Sequence, residues 1–189
     1  CEAGKIDATV VLVVSNREDA GALQRAANHG IDAVVVPVGR DLSAEFEAAD
    51  ARHVELLRRY DVDLVCLAGY MRRIGDGVLR AYRQRVLNIL PALLPSFKGA
   101  HGQRDAVNYG VRISGATVHF ADEEFDRGPI IIQAAVPVLP EDDEDALAAR
   151  IADVNAKLQT DPGARHAGAT IKRVVVKGSF HGRTDRPAL

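Results

Sequence analysis

Two cysteines, Cys1 and Cys66, are all the chain of 189 residues carries, too few for a disulfide framework. Cys66 lies in an apolar run and reads as a reduced core residue. Charge of either sign is not in excess: the formal net charge is -2, which gives no electrostatic ground for nucleic acid or an anionic membrane as partner. No apolar run approaches the roughly 18 residues of a membrane span, and the start does not read as a signal peptide. Internal repeats and low-complexity stretches are also missing. These absences lead to the expectation of a soluble protein in a reducing, cytoplasmic compartment. What is there is ordinary for a globular domain: 47% apolar and 26% charged residues, long enough to bury about 70% of the unfolded surface. The basic run Arg80-Ala-Tyr-Arg-Gln-Arg85 reads as the solvated face of a short helix.

Short β-rich runs alternate with helical ones, the pattern of a doubly wound, mostly parallel α/β sheet. Thr9 to Val14 and Asp63 to Ala68 are continuously apolar enough to be strands buried on both faces. Ala33 to Val36, Val86 to Ile89, Ser114 to Phe120 and Ile130 to Val138 are further strands. Helices are predicted from Asp19 to His29 with Gly30 as stop, from Ser43 as cap to Tyr60, near Asp76 to Arg83, over Gln103 to Tyr109 before Gly110, and from about Asp142 to Asp153. The texture changes beyond Asp153. Gln159-Thr-Asp-Pro-Gly163 is linker-like, and Ile171 to Val176 reads as an isolated strand before a polar tail. The expected division is therefore a domain over 1–153 and a tail over 154–189.

In open α/β sheets ligands bind outside the carboxyl ends of the strands. Asn88 and His119 fall at such ends, and Asp126 lies in the turn Ala121-Asp-Glu-Glu-Phe-Asp-Arg-Gly128. An amide that can donate to a developing oxyanion and a carboxylate that can handle a proton form a plausible acyl-transfer pair. From the residues alone, Asn88 could equally satisfy loop backbone, the acidic turn could be solvated, and His119 could be a structural histidine.

Two stretches are more specific. Asn88-Ile-Leu-Pro-Ala-Leu-Leu-Pro-Ser-Phe-Lys-Gly99 and Gly115-Ala-Thr-Val-His-Phe-Ala-Asp-Glu-Glu-Phe-Asp-Arg-Gly-Pro-Ile130 together resemble the folate-dependent formyltransferases, and most of all the glycinamide ribonucleotide formyltransferase family of purine biosynthesis. Ser15-Asn16, Cys66-Leu-Ala-Gly-Tyr-Met-Arg72 and Ile132-Gln-Ala-Ala-Val-Pro-Val138 extend the likeness over about residues 1–151. The resemblance implies a Rossmann-like formyltransferase fold and formyl transfer from 10-formyltetrahydrofolate to the amine of glycinamide ribonucleotide, with no metal. It implies that Asn88 steadies the oxyanion, that Asp126 assists proton transfer, and that His119 supports them. It also implies a folate pocket of Met71, Arg72, Arg73 and Ile74, with Asn88 and the Asp122, Glu123, Glu124, Phe125, Asp126 loop. Small-molecule substrates, and neither nucleic acid nor membrane, are the implied partners.

The chain departs from the family in places. The family's proton-handling histidine stands two residues after the asparagine, where this chain has Leu90. The family opens with a central strand and a glycine- and serine-rich phosphate loop, whereas this chain starts with Cys1-Glu-Ala-Gly-Lys5, matching the helix after that loop. The expected consequence is that two interior strands expose their edges. The family's nucleotide-facing Glu-His-x-x-Tyr-Pro helix is replaced by Ala152-Asp-Val-Asn-Ala-Lys-Leu-Gln159, and Phe46 falls where spacing puts a family arginine. Impaired turnover and better binding of folate than of the ribonucleotide are expected. Alternatives are a non-catalytic folate-binding remnant, or a formyltetrahydrofolate hydrolase or methionyl-tRNA formyltransferase. The tail, about 155–189, resembles instead a segment of pyridoxal-phosphate aminotransferases, through Ser179-Phe-His-Gly-Arg-Thr184. Its other readings are a plain terminal strand and a stand-in for the family's opening strand.

Overall fold

The computed structural model describes residues 7–41, 43–158 and 173–177. Within them the order is β1 (Thr9–Ser15), α1 (Gly21–Asn28), β2 (Ala33–Val35), α2 (Ala44–Arg59), β3 (Leu64–Leu67), α3 (Asp76–Ala81), β4 (Val86–Leu90), α4 (Gly102–Tyr109), β5 (Ile113–Phe120), β6 (Ile130–Pro137), α5 (Glu144–Leu158) and β7 (Arg173–Lys177). This is the alternating α/β fold with mostly parallel strands that the periodicity implies. The chain divides into two compact units: one runs to Leu87 and takes in residues 173–177, and the other starts at Asn88.

In the first unit the strands lie in the order β2-β1-β7-β3, and each neighbouring pair is parallel. Leu12, Val13, Val14 and Ser15 of β1 are all buried, as a strand covered on both faces requires. Helix α2 begins where the sequence places its cap: Ser43 Oγ accepts the Phe46 N–H at 3.2 Å, an arrangement worth about 1 kcal/mol. Its inward stripe is Phe46, Ala49, Asp50, His53, Leu56 and Leu57, spaced three and four apart. Asp50 is polar within that stripe because it caps another helix. Its carboxylate accepts the N–H groups of Gly77 and Val78 at 2.7 and 3.1 Å, at the positive end of α3.

The tail strand is the main departure from expectation. β7 is not isolated: Val174, Val175 and Val176 pair with Val10, Leu12 and Val13 on one side, and with Leu64, Val65 and Cys66 on the other. The facing edges of β1 and β3 are therefore both occupied, and the expected exposed interior edges do not occur there. The run Val-Val-Val suits a central parallel strand, where every backbone donor and acceptor must be paired. Helix α5 also runs to Leu158, five residues beyond its expected end. The segment resembling the aminotransferases, Ser179 to Thr184, and the opening Cys1 to Lys5 lie outside the described residues.

In the second unit β5 and β6 are antiparallel, paired from Ile113↔Pro137 to His119↔Ile130. Helices α4 and α5 cover them with Ala106, Leu147 and Ile151, which join Ala116, Val136 and Val138 in one apolar cluster. Leu147 and Ile151 are fully buried, each contributing about 1.5–3 kcal/mol of transfer free energy. Gly110 ends α4 in the left-handed conformation, at φ 80°, as its sequence position implies.

Candidate functional site

Three side chains of the second unit meet at one imidazole. Asn88 comes from the middle of β4, on the face that Val86 and Leu90 share by the two-residue period of a strand. His119 comes from the end of β5, where the register shifts between Val118 and His119. The extra residue at that shift is Ile131 of β6, so β5 keeps its two-residue alternation and His119 faces the side that Thr117 faces. His119 is 1% exposed, and its Nδ1 lies 3.0 Å from the Phe120 carbonyl. A carbonyl only accepts, so Nδ1 carries the proton and the Nε2 lone pair is left to accept. The Asn88 amide Nδ2 stands 3.1 Å from that Nε2 and donates to it. One of the two amide hydrogens is thereby engaged, the amide's orientation is fixed, and the second hydrogen remains for another acceptor.

Asp126 completes the cluster, its Oδ1 at 3.6 Å from His119 Nε2. It stands in a turn with φ 53°, a left-handed conformation that Asp tolerates better than most residues. The turn closes tightly. Phe120 N–H donates to the Pro129 carbonyl at 2.9 Å, and a Cβ on Gly128 would lie 1.8 Å from the Phe120 carbonyl oxygen, so only glycine fits. The other carboxylate oxygen, Oδ2, accepts the Gly99 N–H at 3.1 Å. Gly99 has φ 92°, again a glycine position. His119 and Asp126 are almost completely buried while Asn88 is half-buried, so Asn88 is the member of the cluster that solvent reaches.

Sequence reasoning did not single out two polar residues that brace this arrangement. Thr117, two residues before His119 on the same face of β5, donates from Oγ1 to the Ala92 carbonyl at 2.7 Å and accepts the Leu94 N–H at 3.1 Å. Gln133 Nε2 donates to Thr117 Oγ1 and to the Leu94 carbonyl, both at 3.0 Å. Gln133 stands opposite Thr117 and so on the same face of the sheet; the available signal was the single polar side chain in the apolar run Ile130 to Val136. Leu90 is 6% exposed and sits in an apolar cluster with Ala92 and Leu94. It offers no proton to exchange.

The segment after β3 belongs to the first unit. Met71 is 57% exposed. The Arg72 guanidinium donates to the Gly39 carbonyl and lies 3.6 Å from Asp41, while Arg73 pairs with Asp76 at 3.0 Å and Ile74 is core. Two buried polar atoms on the loops after β1 and β3 have no hydrogen-bond partner: Asn16 Oδ1 and Arg72 Nε. In the second unit's turn, Asp122, Glu123, Glu124 and Phe125 are exposed, with Glu124 paired to Arg127 at 2.8 Å. A groove of about 750 Å³ between α2 and α3 is lined by Asp50, Val54, Arg58, Gly77 and Arg80 among others, none of them a candidate site residue. Among the described residues, no cluster of three or more His, Cys, Asp or Glu side chains is placed to hold a metal, and no helix is long and apolar enough to cross a membrane.

A family model described as formyl transferase matches residues 1–161. The chain belongs to the formyl transferase family. The phosphoribosylglycinamide formyltransferase of Escherichia coli (strain K12) is 39% identical over 154 residues, which are 80% of this chain and 70% of that protein. The trifunctional purine biosynthetic protein adenosine-3 of Drosophila melanogaster is 47% identical over 146 residues, 77% of this chain. The chain spans only 11% of the fly protein's length. Among solved structures, glycinamide ribonucleotide transformylase 1 from Symbiobacterium toebii superimposes with a TM-score of 0.81 at 41% identity, covering 91% of this chain and 82% of that one. The α/β fold of this formyl transferase is thus shared with solved transformylases.

Proposed function

We propose that this formyl transferase moves a formyl group from 10-formyltetrahydrofolate to the amine of glycinamide ribonucleotide, a step of purine biosynthesis, and that Asn88, His119 and Asp126 carry the chemistry. The observation that supports this most is the meeting of an amide and a carboxylate at one buried imidazole, at 3.1 and 3.6 Å, on the motif positions where the family resemblance puts catalytic groups. The free hydrogen of the Asn88 amide is the donor for the formyl oxygen as it gains negative charge. A preorganised donor of this kind is worth roughly 3–4 kcal/mol in a barrier. The attacking amine must lose a proton. Asp126 accepts it on Oδ1, or His119 on Nε2 once Asn88 turns its amide toward the substrate, and the proton passes to the folate nitrogen as its bond to the formyl carbon breaks and tetrahydrofolate leaves. In the second case the imidazolium and Asp126 form an ion pair across the 3.6 Å gap. Gly99 N–H keeps Oδ2 engaged throughout, so the carboxylate stays oriented.

The segments proposed to contact folate are, in the first unit, Met71, Arg72, Arg73 and Ile74 and, in the second, Asn88 with the Asp122 to Asp126 turn. The exposed apolar surfaces of Met71 and Phe125 suit an aromatic ring system, and the unpartnered Arg72 Nε suits a polar edge. No metal is assigned a part.

Leu90 favours a second reading, in which the chain binds folate without turnover, because an alkyl side chain cannot replace the family histidine. Calorimetric titration of a folate analogue beside glycinamide ribonucleotide separates the two, provided turnover is assayed on the same sample. Binding of the folate with ribonucleotide binding weaker than about millimolar, roughly 4 kcal/mol, together with measurable turnover, is the expected result. Folate binding without turnover supports the second reading, and binding of neither ligand overturns both.

A further inference from the structure

We propose that Gln133 is a positioning residue for the transfer site, acting through Thr117 and the Leu94 peptide on the loop that carries Asp126's backbone donor. The proposal rests on the reading of Asn88, His119 and Asp126 as the site of transfer.

A glutamine whose residue surface is exposed normally spends its amide on water. Gln133 does not, although its residue surface is exposed. It stands opposite Thr117 in the β5–β6 register, and both hydrogens of its Nε2 are committed inside the unit, to Thr117 Oγ1 and the Leu94 carbonyl at 3.0 Å each. The Thr117 hydroxyl is then saturated: it donates once, to Ala92, and accepts twice, from Leu94 N–H and Gln133. Thr117 is completely buried, so any partner it loses is not replaced by bulk water.

These bonds fix the N–H and the carbonyl of one residue, Leu94, and the carbonyl of Ala92, in a stretch that has no strand ladder to hold it. The loop leaves β4 two residues after Asn88, turns through Phe97 at φ 50° and Gly99 at φ 92°, and delivers the Gly99 N–H to Asp126 Oδ2. Asn88, the loop, Asp126 and His119 thus form a closed circuit, and Gln133 with Thr117 is its cross-brace. A shift of the Leu94 peptide is passed along five residues to Gly99, and so to the carboxylate. Glutamate at 133 would set an acceptor against the Leu94 carbonyl, and alanine would leave that carbonyl without its donor.

The test uses the full chain, ¹⁵N-labelled, as Gln133→Ala, Gln133→Glu and Thr117→Ser, with amide exchange and formyl transfer measured on each. In Gln133→Ala and Gln133→Glu the Leu94 and Gly99 amides exchange about tenfold faster, the size of one lost hydrogen bond. Turnover falls by a similar factor while KM for the formyl donor stays within about twofold, since no folate contact is removed. Thr117→Ser keeps the hydroxyl and keeps both readouts. Unchanged exchange at Gly99 in Gln133→Ala overturns the proposal whatever the turnover does. So does a rise in KM with kcat intact. Absence of turnover in the unmodified protein counts against the transfer reading alone, and the exchange rates at Leu94 and Gly99 then decide the bracing claim by themselves.

Discussion

Replacing Leu90 by histidine opposes two calculable effects. Leu90 is 6% exposed and packs with Ala92 and Leu94, so its side chain contributes about 1.5–3 kcal/mol by burial. An imidazole recovers part of that by packing, and leaves a ring nitrogen whose missing partner costs about 1–3 kcal/mol. The net loss is about 2–4 kcal/mol, which lowers Tm by roughly 5–15 °C for a chain of this size. Against this, Leu90 shares its strand face with Asn88, so a proton-exchanging ring there stands beside the proposed oxyanion donor. General acid–base help of this kind is worth roughly 100- to 10,000-fold in rate. The assay is formation of formylated ribonucleotide by Leu90→His and the unmodified protein, with Leu90→Gln as control. The glutamine is also polar and destabilising, but it cannot exchange a proton usefully. The expected order of kcat is Leu90→His well above both others, with the two variants similarly less stable. A folded Leu90→His with no gain refutes the reasoning. So does an unmodified protein already turning over on the order of 10 per second.

Three further outcomes follow from the geometry. The Asp142 carboxyl is held below its ordinary range chiefly by its hydrogen bond from Arg150, and also by the Leu139 N–H. A lowered folded-state pKa contributes stability above the unfolded value near 4, which is lost as pH falls through the folded one. Asp142→Asn should therefore lower Tm at pH 7, with the gap closing below about pH 4; a pH-independent gap contradicts this. Burial pushes the Cys66 thiol up to about 11, so peptide mapping after alkylation at pH 8 should find Cys66 unlabelled in the native chain and labelled in denaturant. Val175 pairs with Leu12 on one side and Val65 on the other. Val175→Pro, which removes a ladder donor, should therefore speed amide exchange in both β1 and β3, and unchanged exchange in either strand argues against the central placing of β7.

The strands and helices were readable because their signals are local: the continuous apolar runs of β1 and β3, Ser43 three residues before Phe46, Gly110 after α4. Asn88, His119 and Asp126 were readable through the two motif stretches, though their convergence on one imidazole depends on a loop bond from Gly99 to Asp126 that no local pattern encodes. The place of residues 173–177 was readable only as one of several alternatives, the stand-in for the family's opening strand. A valine run declares a strand, but which edges it joins is decided by backbone pairing with segments more than 100 residues away, and no local pattern encodes that. Gln133 escaped notice for a related reason. Its residue surface is exposed on β6, and only the path of the Leu94 loop turns its amide to use.

A single turnover measurement tests the transfer chemistry most directly: 10-formyltetrahydrofolate and glycinamide ribonucleotide incubated with the full chain and with Asp126→Asn, the products followed by mass spectrometry. Slow formation of formylated ribonucleotide by the unmodified chain, and at least about 100-fold less by the variant, is the predicted result. Equal formation by both, or release of formate from the folate with no formylated ribonucleotide, would contradict it.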